Sequence, residues 1–137
     1  MPRVSTTVIV WILTALAAVV VVLTRVRFSG EGDSGQYRVG PRVLLAHTVA
    51  GTLAILVWVV YLLTGGAVVG IIALALWWAT AIAGLLVLLR WLPARGRHAV
   101  SATHDSWSEG PGLSVLAHVG MVVGVLVFTG AYLTSAV

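Results

Sequence analysis

The sequence predicts an all-α integral membrane protein: a four-helix bundle of up-down topology, built from a duplicated two-helix hairpin. Three observations predict it. Of the 137 residues, 60% are hydrophobic and only 9% charged, whereas soluble domains carry about 25% charged residues. The apolar residues fall into four stretches without Asp, Glu, Lys or Arg, each close to the roughly 20 residues that cross a hydrocarbon core as a helix. The second and fourth stretches also repeat one another.

The first span is expected at Thr6–Thr24. Ala15-Leu16-Ala17 resembles a signal cleavage site, but the apolar run continues through Val19–Leu23. A signal's apolar region is about 7–15 residues long, so a retained helix is predicted. The other spans are expected at Val43–Leu63, Ala67–Leu89 and Leu113–Leu133, together forming one transmembrane domain. Their Val and Ile content would favour strands in water. In lipid every backbone group must bond internally, which selects helices. Transmembrane strands would be about 10 residues long and would alternate polar with apolar side chains; these stretches do neither.

Arginine placement predicts orientation. Arg25, Arg27, Arg38 and Arg42 lie around the first loop and Arg90, Arg95 and Arg97 in the third, against Arg3 alone before the first span. Arginine-rich loops stay cytoplasmic, so both termini are expected outside, in the plasma (inner) membrane of a prokaryote. The high pI follows from these membrane-flanking arginines, and no nucleic-acid partner is expected. With no cysteine, disulfides, thiolate metal sites and cysteine nucleophiles are excluded.

The repeat carries the candidate site. Gly40-Pro41 precedes Leu45-Ala46-His47, and Gly110-Pro111 precedes Leu116-Ala117-His118. Fourteen residues after each histidine stands a tyrosine, Tyr61 or Tyr132. Proline suits the first helical position, where its missing N–H costs nothing. His47 and His118 then lie about 9–10 Å inside their helices, at nearly equal depth. Two inward imidazoles at one depth are what a haem needs for axial ligation. Gly51 and Gly120 near these histidines would leave room for a flat macrocycle, and Arg42 would offer its propionates a bidentate partner. Other readings of the same residues are interhelical hydrogen bonding and close helix packing through Gly66-xxx-Gly70 and Gly120-xxx-Gly124.

The remaining residues carry less. His98 and His104, six apart in the third loop, do not form a standard zinc pattern. Tyr61, Tyr132 and Trp91 fall at span ends, as in an aromatic belt. No phosphate loop, paired carboxylates or nucleophile triad is present.

One histidine near the same end of spans two and four resembles small membrane b-type cytochromes. It is similar also to one half of the haem A synthase family, whose catalytic glutamate this chain lacks. The resemblance implies haem b held by His47 and His118, and electron transfer within a respiratory or other redox complex. Partner subunits in the lipid bilayer, and a quinone, would then supply and accept electrons. A non-redox accessory subunit, and a small transporter or proton channel, are the alternatives.

Overall fold

A computed structural model describes residues 5–30, 41–91 and 111–137, with side chains for 5–23, 45–86 and 115–137. Four helices make up nearly all of the described chain: α1 (Thr6–Gly30), α2 (Pro41–Thr64), α3 (Ala67–Trp91) and α4 (Pro111–Leu133). All four are long and apolar enough to cross a membrane, and the protein is a multi-pass membrane protein.

The helices overrun the expected spans by a few residues at one end. α1 continues past Arg25 and Arg27, α3 past Arg90, and α2 and α4 begin on their prolines. An arginine ends a charge-free stretch without ending a helix, because its head group can snorkel into the interface. Proline at the first helical position leaves no intrahelical hydrogen bond unmade.

α2 and α3 are joined by Gly65-Gly66 and form the most extensive helix contact. Gly65 adopts φ 67° and donates its N–H to Tyr61 O at 2.8 Å. This left-handed cap favours glycine, which has no Cβ to clash. α4 packs on α3, and α1 touches both α2 and α4 more sparsely. α2 and α4 therefore face each other diagonally, as do α1 and α3.

The core is a column of aromatic and small side chains. Trp58 and Trp77 are fully buried, with Phe128 between them at ring-centroid distances of 4.7 and 5.4 Å. Val10, Ala54, Ala73, Ala81, Val125 and Ala131 fill the space around these rings. Small residues let helices approach closely in lipid, where no hydrophobic force drives association. Two indoles add polar ties: Trp58 Nε1 donates to Thr14 Oγ1 and Trp78 Nε1 to Thr129 Oγ1, both at 3.2 Å. Each threonine hydroxyl in turn donates to the carbonyl four residues back, at 2.8 Å. The outward positions are leucine, isoleucine and valine, as a lipid-facing surface requires.

Candidate functional site

His47 and His118 stand within the first two turns of α2 and α4. Their rings face across the diagonal with centroids 6.1 Å apart and planes inclined by 16°. That separation lies within the range of offset aromatic pairs, about 4.5–7 Å between centroids, and it also fits a shared ion. An imidazole nitrogen sits about 2 Å from a bound transition metal and about 1 Å from its own ring centre, so two rings flanking one ion have centroids about 6 Å apart. His47 Nδ1 is buried without a hydrogen-bond partner.

Gly84 of α3 completes this layer. A Cβ built on Gly84 would lie 2.8 Å from His118 Cδ2, 2.9 Å from His118 Nε2 and 3.0 Å from His47 Cε1. No side chain fits there, so the α3 backbone itself forms one wall of the ring pair.

Fourteen residues along each helix the arrangement recurs in another chemistry. Tyr61 and Tyr132 meet at 5.5 Å, over Gly70 of α3. A Cβ on Gly70 would come within 2.5 Å of Tyr132 Cε2 and 2.9 Å of Tyr61 Cδ2. The tyrosines are not lipid-facing belt residues alone. Tyr61 is 4% exposed and donates its hydroxyl to Val137 O at 3.0 Å, while Tyr132 donates to Ala67 O at 3.0 Å. The α4 terminus explains the difference. Ser135 takes φ 51°, Ser135 N bonds Tyr132 O and Ala136 N bonds Ala131 O, a Schellman turn. It brings the Val137 carbonyl to Tyr61 and the Ala136 carbonyl to Thr7.

Of the residues singled out from sequence, His47 and His118 come together. Gly51 is buried, and a Cβ on it would meet Thr80 Cγ2 at 3.5 Å and Val21 Cγ2 at 3.8 Å rather than the rings. Gly120 is exposed, with open space beside it. The side chains of Arg42 and Arg90, and residues Arg95, Arg97, His98 and His104, lie outside the described residues. Gly70 seats the tyrosine rings where Gly66-xxx-Gly70 predicts close helix packing, whereas Gly84 belongs to no expected contact. Their signal was available: they are fourteen residues apart, the same interval that separates each histidine from its tyrosine.

Among the described residues no group of three or more His, Cys, Asp or Glu gathers to hold a metal. The histidine pair offers two ligands from the protein. Zinc sites use three or four protein ligands, whereas haem iron takes four nitrogens from its own macrocycle and needs only the axial positions. The chain matches no known family model, no curated protein and no solved structure.

Proposed function

We propose that this protein is a membrane b-type cytochrome subunit, with His47 and His118 as the axial ligands of one haem. The observation that carries the reading is the pair itself: two imidazoles on diagonal helices, 6.1 Å apart, with a buried unpartnered nitrogen on one of them. Buried polar atoms normally have partners, so an unpartnered imidazole nitrogen beside a second imidazole is a place for a group not made by the protein. A haem bound there would exchange single electrons. The chain's own residues would hold its two faces, set its depth near one membrane surface and exclude water with the apolar column above. Gly84 would hold both rings in place.

The helices form an up-down bundle that arose by duplication of a hairpin, with α2 and α4 as equivalent members. The arginine-rich loops lie in the cytoplasm of a prokaryote, both termini lie outside, and Arg42 with the third-loop arginines pairs with the propionates. Partner subunits deliver or remove the electrons, with a quinone as the lipid-borne partner.

The test is a dithionite-reduced minus oxidised optical spectrum of protein purified from its native membrane. Sharp reduced α and Soret bands are expected, and both should vanish in His47→Ala and in His118→Ala. A featureless wild-type spectrum from haem-replete membrane would sink the proposal.

One observation favours a second reading, a non-redox packing subunit. The tyrosine pair over Gly70 repeats the geometry of the histidine pair over Gly84, and a ring pair seated on glycine is a sound packing layer without any ligand. A His47→Phe, His118→Phe double variant keeps the rings and removes the ligands. Full activity of the host complex with that variant would favour packing.

A further inference from the structure

Two phenols meet inside this bundle, and packing alone does not use their chemistry. Interfacial tyrosines of membrane proteins stand in a belt at headgroup level. Tyr61 and Tyr132 instead bring their rings together, with centroids 5.5 Å apart and planes inclined by 58°. Gly70 backs both of them: a Cβ there would lie 2.5 Å from Tyr132 Cε2 and 2.9 Å from Tyr61 Cδ2, so both rings turn an edge to one spot on α3. Each hydroxyl is anchored on a backbone carbonyl, Tyr61 on Val137 O and Tyr132 on Ala67 O, both at 3.0 Å. The rings are thus held from the side and from the tip.

The pair also ends a column of oxidisable rings. Trp58 lies 5.1 Å from Tyr61 and 4.7 Å from Phe128, whose ring meets Trp77 at 5.4 Å. An electron lost from either buried indole is replaced from a phenol, because a phenoxyl radical that has shed its proton is the more stable radical. The chain has no cysteine, whose thiolate is the usual reversible sink for oxidants. Both tyrosines stand near one end of their spans, Leu45–Thr64 and Val115–Leu133. That is close to the membrane surface, where the polar peroxyl group of an oxidised acyl chain collects.

We propose that Tyr61 and Tyr132 form an oxidative cross-linking site for lipid peroxyl radicals, which joins α2 to α4 through a carbon–carbon bond between the rings. The reaction consumes two peroxyl radicals. The first takes the hydroxyl hydrogen of Tyr132, the less buried of the two tyrosines, and becomes a hydroperoxide. The Tyr132 phenoxyl radical carries spin on the ring carbons beside its oxygen, and one of these, Cε2, bonds to a Cε carbon of Tyr61. The second peroxyl radical takes the hydrogen from that Tyr61 carbon, which restores the Tyr61 ring and gives a second hydroperoxide. The hydrogen on Tyr132 Cε2 moves to the oxygen, and the Tyr132 phenol reforms. The product is a covalent staple at the end of the bundle opposite the histidines, and two radical chains are terminated in making it. The site is independent of the haem reading.

The test places the full-length protein in nanodiscs of polyunsaturated phosphatidylcholine and generates peroxyl radicals with a lipid-soluble azo initiator in air. Tryptic peptides are then weighed. A species is expected that joins Val43–Arg90, which carries Tyr61, to His98–Val137, which carries Tyr132. It should be lighter by two hydrogens than the two peptides together, and should come from protein that runs as a monomer in a denaturing gel. Tyr61→Phe and Tyr132→Phe keep both rings and should each abolish the linked species, with helical circular dichroism equal to wild type as the check on folding. Tyr37→Phe removes the third tyrosine of the chain and should leave the yield unchanged. The His47→Ala, His118→Ala variant should cross-link as the wild type does, so a missing haem spectrum and a missing cross-link are separate outcomes. Absence of the linked species, a link that survives either Tyr61→Phe or Tyr132→Phe, one formed only between chains, or a yield insensitive to added α-tocopherol would overturn the proposal.

Discussion

Glycine does opposite work at two places on the same core, and the difference can be measured one residue at a time. At Gly84 a methyl group has no room, because two imidazole rings already touch the backbone. Gly84→Ala should force one or both rings aside and cost about 1–3 kcal/mol, the range for overpacking. At Gly51 the nearest atom to a new Cβ is Thr80 Cγ2 at 3.5 Å, an ordinary contact. Gly51→Ala should therefore be neutral or stabilising by up to about 1 kcal/mol, the helix-propensity difference between the two residues. Unfolding midpoints in mixed detergent micelles would check both; equal effects at the two sites would contradict the close fit at Gly84. The histidines were legible from sequence because a charge-capable side chain in an apolar run is conspicuous. Gly84 was not, because a glycine's role depends on what faces it, and α3 carries no counterpart of the Leu-Ala-His motif to direct attention there.

At the scale of the element, the ends of the helices differ in how they stop. α2 ends on Gly65 in the left-handed conformation, while α4 ends on Ser135 in the same region. A Cβ in that conformation costs about 1–2 kcal/mol, partly repaid by the Schellman bonds and by the carbonyls they present to Tyr61 and Thr7. Ser135→Gly should raise stability by about 1 kcal/mol, read as a higher thermal midpoint, with no change at the histidine layer. The spans themselves were readable in full, since length and the absence of charge define a membrane helix. Their true ends were less readable. Helices run on past the last uncharged residue at Arg25 and Arg90, and a charge count marks the edge of the hydrocarbon, not the last hydrogen-bonded turn. The burial of Tyr61 was hidden as well, because it depends on the turn after α4, some seventy residues away in the chain.

For the molecule as a whole, α3 is the organiser and α1 the outlier. α3 supplies the glycine floors of both ring layers and packs closely on α2, whereas α1 joins more sparsely, through buried Val10, the Trp58–Thr14 and Thr7–Ala136 bonds and the approach of Val21 to Gly51. The absence of native cysteine makes this arrangement open to cross-linking on a clean background. A Val21→Cys, Gly51→Cys chain should form a disulfide in the membrane, since a Cβ on Gly51 would lie 3.8 Å from Val21 Cγ2, one of the staggered positions open to a cysteine sulfur. A Val21→Cys, Gly84→Cys chain, with its cysteines on diagonal helices, should not. Cross-linking of the second pair and not the first would mean that α1 packs against a different face. Nothing in the sequence announced this asymmetry: all four spans are comparably apolar, and which pairs pack tightly is decided by where small residues fall against rings.

The interval of fourteen residues that separates the two ring layers on α2, α3 and α4 has a geometric consequence. Fourteen is two heptads, four turns at 3.5 residues each, whereas a straight helix would drift by about 40° over that length. Helices that keep both layers in register must wind around one another with a left-handed pitch, as coiled coils do. The distance between the two chemistries is thus quantised. Seven residues added to each of the three helices would lengthen the bundle and return both layers to alignment, while a single residue added to one of them would turn an imidazole or a phenol out into the lipid.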